Sequence, residues 1–103
     1  MTLRLSLAPA RISASPALTL PLPLALTLRA WRPGDRFQPP HTRSPKKVKE
    51  LLQSKKLAPE LRAQWPVLAH DTEILWLRDF PARTVTITSE DGTTLGTLSV
   101  ETL

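Results

Sequence analysis

The sequence contains no cysteine and no tyrosine, only two histidines, and only three glycines in 103 residues. Without cysteine there can be no disulfide, zinc ribbon or thiol nucleophile, and the composition fits a reducing cytoplasm. His41 and His70 are too few and too far apart to suggest a metal site, and both read as solvated loop residues. Three scattered glycines leave no phosphate-cradling glycine loop. Nothing resembles a paired-carboxylate, Cys–His or Ser–His constellation, so no independent catalytic centre is expected. Long apolar runs are also missing. The stretch from Leu18 to Leu28 is about half of the ~20 residues a membrane helix needs, and Pro21 and Pro23 interrupt it. The basic start and small-residue cleavage pattern of a secretory signal are likewise absent.

Two things are plentiful: proline and local positive charge. Eleven prolines favour short strands and irregular connections over a helical bundle. From Arg29 to Arg62 there are ten Lys or Arg against three acids, a net charge of +7 in 34 residues. The remainder carries four basic and six acidic residues. Positive charge concentrated in this way points to a polyanion.

Alternation of Leu3, Leu5 and Leu7 with polar neighbours has strand period two. Pro9 and Pro16 bracket a weak segment around Ile12, a loop or short edge strand. Leu18 to Leu28 places leucine at every second position, which predicts one or two strands. Its prolines put the first half at an edge or bulge, with Leu24–Arg29 the more regular part. Arg32-Pro33-Gly34-Asp35 is a tight turn, since proline presets φ and Gly34 accepts positive φ. It throws Arg32 and Arg36 outward. Asp35 reads as a turn-stabilising acid, and Arg36 either pairs with it or a carbonyl, or is free to contact phosphate.

Residues 38–43 have loop composition. Ser44-Pro45 predicts a helix start, serine capping and proline in the first turn. Val48, Leu51 and Leu52 form its apolar stripe, leaving Lys46, Lys47 and Lys49 near its N-terminal end as a solvated face or a phosphate-binding one. Pro59–Gln64 is a shorter helix presenting Leu61 and Trp65 to the core and ended by Pro66. Residues 67–69 and 74–77 form a hairpin, and 84–88 with 95–100 a second, across Asp91-Gly92. The fold expected is α+β: a small β-rich domain with one main helix and a helical turn. Residues 1–27 read as an N-terminal β segment and strand leading into a domain of residues 28–103, one domain overall. Trp65 and Trp76 have core spacing, and Trp31, beside the turn, is assigned to the core as well.

The run Trp31-Arg-Pro-Gly-Asp-Arg-Phe-Gln-Pro39 comes first, then Lys46-Lys-Val-Lys-Glu-Leu-Leu52, Lys56-Leu57, Arg62 and Trp65-Pro-Val-Leu68. In this order, followed by Ile74-Leu-Trp-Leu77, they resemble the C-terminal domain of tRNA(Ile)-lysidine synthetase over about 50 residues. The resemblance implies a small α+β domain, similar to a module of the phenylalanyl-tRNA synthetase beta subunit, that helps hold the tRNA acceptor region. It implies tRNA as partner, with the enzyme's own catalytic domain a second one. ATP and lysine would be used by that catalytic domain, whose S-G-G-x-D-S loop has no counterpart here, so no cofactor is expected in this chain. The candidate RNA-binding residues are Arg32, Arg36, Lys46, Lys47, Arg62 and Lys56. The alternative reading is a structural or protein-interaction domain whose basic face docks an acidic partner.

Overall fold

The computed structural model describes residues 1–9, 18–40, 42–81 and 83–103, so Ile12 and His41 lie outside the described residues. Nine strands and two short helices are defined among them. They form two compact units, Met1–Leu24 with Arg83–Leu103, and Ala25–Ala82. The expected division at residue 27 keeps Arg83–Leu103 with the C-terminal domain. In the structure they pack with the first 24, because the final strand pairs along the whole of the first.

The first unit is a four-stranded sheet in the order β1-β9-β8-β2. Its strands are β1 (Leu3–Ala8), β2 (Leu18–Pro21), β8 (Val85–Thr88) and β9 (Thr94–Thr102). β1 runs antiparallel to β9, from Leu3 opposite Thr102 to Ala8 opposite Thr97. The leucine alternation of β1 puts Leu5 and Leu7 across from Val100 and Leu98, and Arg4 and Ser6 on the other face across from Glu101 and Ser99. β2 runs parallel to β8 at the sheet edge, where the amide donor that Pro21 lacks is not needed, in agreement with the edge expectation. β8 and β9 form the expected hairpin. Asp91 stabilises its turn by accepting hydrogen bonds from the Ser89 hydroxyl and, at 2.9 Å, from the Thr93 amide. Gly96 lies against β1: a Cβ there would sit 2.5 Å from the Ala8 carbonyl oxygen, so only glycine fits this crossing.

In the second unit, β3 (Thr27–Ala30), β6 (Pro66–His70) and β7 (Glu73–Leu77) form an antiparallel sheet. The register slips between Leu68 and Ala69, leaving Leu75 as an extra residue on β7. Ile74 and Leu77, three positions apart, can therefore both join one core with Val67 and Ala69. Phe37, Val48, Leu52 and Trp65 complete that core, with Trp31, Leu51, Leu57 and Phe80 packed at its margin. Trp65 and Trp76 are both buried, as their spacing predicts. Trp31 is only partly so, and its indole N–H donates to the Arg62 carbonyl.

Two short helices connect the sheet strands. α1 (Val48–Ser54) has the expected apolar stripe, with Val48 and Leu52 fully buried. Seven residues are too few to be helical alone, so burial of these two side chains, about 1.5–3 kcal/mol each, holds the helix in place. α2 (Pro59–Ala63) begins at its proline as expected. Leu61, however, is 60% exposed: on a helix of barely more than one turn only Trp65, just beyond its end, reaches the core. Pro66 opens β6, and the α2 cap is Gln64. His70 is not a loop residue. It ends β6, with Nδ1 3.1 Å from the Ala25 carbonyl oxygen and Nε2 3.8 Å from the Asp71 carboxylate.

Candidate nucleic-acid interface

The principal correction to the sequence reading falls in the basic region itself. Ser44-Pro45 does not start the helix. The chain stays extended through β5 (Lys46–Lys47), which pairs antiparallel with β4 (Arg36–Phe37), and α1 begins only at Val48. Lys47 occupies the cap position with φ −64° and ψ 129°, and no side chain caps the helix. The Val48 amide donates instead to the Asp35 carbonyl at 3.0 Å, which satisfies one of the free amides of the first turn. The reason is tertiary. Phe37 must enter the core, and β5 is the partner strand that lets β4 do so.

This ladder sets the geometry of the charges. Arg36 stands directly opposite Lys47, and Lys46 opposite Phe37. Side chains paired across antiparallel strands have Cβ atoms about 4.5–5.5 Å apart, so two cations are held side by side where like charges are unfavourable. Arg32 opens the turn that leads into β4. The Asp35 amide closes it onto the Arg32 carbonyl at 3.0 Å, and Gly34 has φ +95°, the conformation that needs glycine. Arg32, Arg36, Lys46 and Lys47 are all exposed. One turn and one two-residue ladder thus bring Arg36 and Lys47 to one face, with Arg32 at the start of the turn, whereas Lys46, paired with the core residue Phe37, falls on the ladder's other face.

The other two candidates are placed differently. Arg62 is half-buried on α2, and its carbonyl accepts from Trp31, the neighbour of Arg32, so its backbone borders the turn. Lys56 follows α1 in the left-handed region, φ 55°, at the end opposite Lys46 and Lys47. A seven-residue helix is about 10 Å long, so Lys56 is not part of the same cluster. Lys55 lies 5.0 Å from the centre of the Phe80 ring, and the Arg78 guanidinium 5.2 Å from that of Trp65, both occupied in cation–π contacts.

Asp35 is the acid that organises the turn, as expected, but the guanidinium that pairs with it is not that of Arg36. The Arg29 guanidinium grips it as a fork, Nη1 at 2.8 Å from Oδ2 and Nη2 at 3.0 Å from Oδ1. Arg29 stands opposite Val67 on β3, so its stem lies over the core and the side chain is only 15% exposed. The Arg32 amide also donates to Oδ2 at 2.7 Å. Burial pushes the Asp35 carboxyl up, but the hydrogen bonds from Arg29 and Arg32 outweigh it, and the pKa is lowered. The partnership of Arg29 with Asp35 was missed by sequence reasoning. The only available signal was an arginine on the core-facing parity of a strand six residues before an aspartate.

Fold and surface together define a small β-rich module with few helices and a cationic turn-and-ladder face. Residues 26–95 match the family model for the TilS substrate C-terminal domain, and the chain belongs to that family. It is 40% identical over 72 residues to the tRNA(Ile)-lysidine synthase of Solibacter usitatus (strain Ellin6076), covering 69% of this chain and 16% of the relative. It is 38% identical over 55 residues to the tRNA(Ile)-lysidine synthase of Geobacter sulfurreducens (strain ATCC 51573 / DSM 12127 / PCA), covering 53% of this chain and 12% of the relative. The chain therefore spans less than a fifth of the length of these relatives. No solved structure matches it.

Proposed function

We propose that this module holds a tRNA, the acceptor region of an isoleucine tRNA, for a lysidine-forming reaction whose ATP and lysine are handled in a separate catalytic domain. The observation that carries the reading is Arg36 facing Lys47 across the β4–β5 ladder, which the Arg32 turn leads into. A fold selected only for stability gains nothing from opposing cations there. A phosphate backbone supplies the missing counter-charge. Double-stranded RNA hides its base edges in a deep, narrow major groove, so a small basic face grips it by shape and charge and positions it without reading much sequence. In this reading Arg62 borders the grip, Lys56 makes at most a separate contact, and the module works in the cytoplasm. A role like that of the phenylalanyl-tRNA synthetase beta-subunit module fits the same picture.

The test is tRNA binding as a function of salt. About four phosphate contacts predict a slope of log affinity against log salt of roughly −3 to −4. Replacing Arg36 and Lys47 together by alanine is expected to remove about two units of that slope. Affinity indifferent to salt, or an acidic protein of equal charge that binds as well as tRNA, would favour a protein-docking surface instead.

A further inference from the structure

We propose that Arg29 and Asp35 are positioning residues of the RNA interface: a neutral, internally satisfied pair that fixes where Arg32, Arg36 and Lys47 point, without touching RNA. This inference rests on the tRNA-binding reading above. Arg29 lies within the basic run, and counted by sequence it is one more phosphate ligand. The structure assigns it elsewhere. Its Nη1 donates to both the Asp35 carboxylate and the Ala30 carbonyl at 3.0 Å, and its Nη2 to the other carboxylate oxygen. Those donors are spent inside the molecule, and both side chains are largely buried, 15% and 13% exposed.

Asp35 is the hub of the arrangement. Its carboxylate holds the Arg32 amide, its own amide closes the turn onto the Arg32 carbonyl, and its carbonyl receives the Val48 amide just after Lys46–Lys47. One residue therefore ties the turn carrying Arg32 and Arg36 to the strand carrying Lys47. Arg29 sets the orientation of that carboxylate from the sheet, because a bidentate fork allows one relative geometry where a lysine would allow many. Since the two charges cancel, the pair leaves the local field to exposed cations such as Arg32, Arg36 and Lys47. Its contribution to binding is geometric rather than coulombic.

The discriminating experiment replaces the pair by a neutral one, Arg29→Met with Asp35→Asn, so that net charge is conserved. Affinity for tRNA is measured at fixed salt in two backgrounds, the parent chain and Arg32→Ala/Arg36→Ala/Lys47→Ala. A positioning role predicts five- to tenfold weaker binding in the parent and less than twofold in the second background, where there is nothing left to position. No loss in the parent, or equal loss in both backgrounds, overturns the proposal. Should the paired variant not fold, Arg29→Lys keeps the charge and loses the fork. Amide exchange by NMR should then be at least tenfold faster at Arg32 while the β6–β7 amides are unchanged, and unchanged Arg32 exchange overturns the proposal equally. Failure of the underlying reading looks different: Arg36→Ala/Lys47→Ala would bind tRNA as tightly as the parent, while the Arg32 amide still responded to Arg29→Lys.

Discussion

At the residue scale, two aspartates show how the same carboxylate chemistry serves two turns. Asp35 is held by a buried arginine fork, and Asp91 by a hydroxyl and an amide at the surface. The hydrogen bonds from Ser89 and Thr93 lower the Asp91 pKa to about 2. A depressed carboxylate pKa means that the turn is favoured above the unfolded value, near 3.8, and that this contribution is lost as pH falls through the folded value. Asp91 is therefore expected to titrate near pH 2 by NMR, and Ser89→Ala to move its midpoint toward the ordinary carboxylate range. A midpoint already near 3.8 in the parent would refute the hydrogen-bonded turn. Asp35 follows the same sign, its support complete above the unfolded carboxylate value and lost as pH falls from there to its lowered pKa, so the turn stays intact throughout the neutral range. Both aspartates were legible in the sequence as turn acids, because Asp beside Gly and Pro is local chemistry. The identity of Asp35's partner was not, since Arg29 reaches it from a strand whose register only the sheet defines.

At the scale of elements, local pattern succeeded where the elements are local and failed where a distant strand decides. The Val48–Leu52 stripe, the proline start of α2, and both hairpins could be read from spacing and turn residues. The start of α1 could not. Ser44-Pro45 has every local feature of a helix start, yet the next two residues are claimed by Arg36–Phe37, ten or so positions earlier in the chain. Leu61 failed for a related reason: α2 ends at Ala63, so Trp65, four positions after Leu61, lies beyond the helix and the two do not share its face. The crossing of β1 over Gly96 belongs to this scale too. Gly96→Ala drives a methyl group into the Ala8 carbonyl, and neither is the end of a flexible side chain that could give way. Overpacking of this kind costs about 1–3 kcal/mol. Chemical denaturation should show a loss in that range, with exchange accelerated along β1 and β9. An alanine variant as stable as the parent would mean that the two strands do not cross so closely.

At the scale of the whole molecule, the family match begins at residue 26, whereas β8 and β9 take both of their outer neighbours, β2 and β1, from residues before it. A two-stranded ribbon is marginal alone. Deleting residues 1–24 should therefore strip protection from the β8–β9 amides, while the core of Ala25–Ala82, which draws on none of the deleted strands, keeps protection at β6 and β7. Native-state hydrogen exchange separates the outcomes: uniform loss across both units would show that they do not hold together independently. No helix of the described residues is long and apolar enough to cross a membrane.

The facing cations of β4 and β5 carry one last consequence. Dissolved ions shorten the reach of their mutual repulsion, to about 8 Å at physiological ionic strength. Sodium chloride should thus raise the melting temperature of the unliganded module while loosening its hold on tRNA, opposite responses to a single titrant. The repulsion relieved by ions in the free molecule is what the nucleic acid relieves in the bound one.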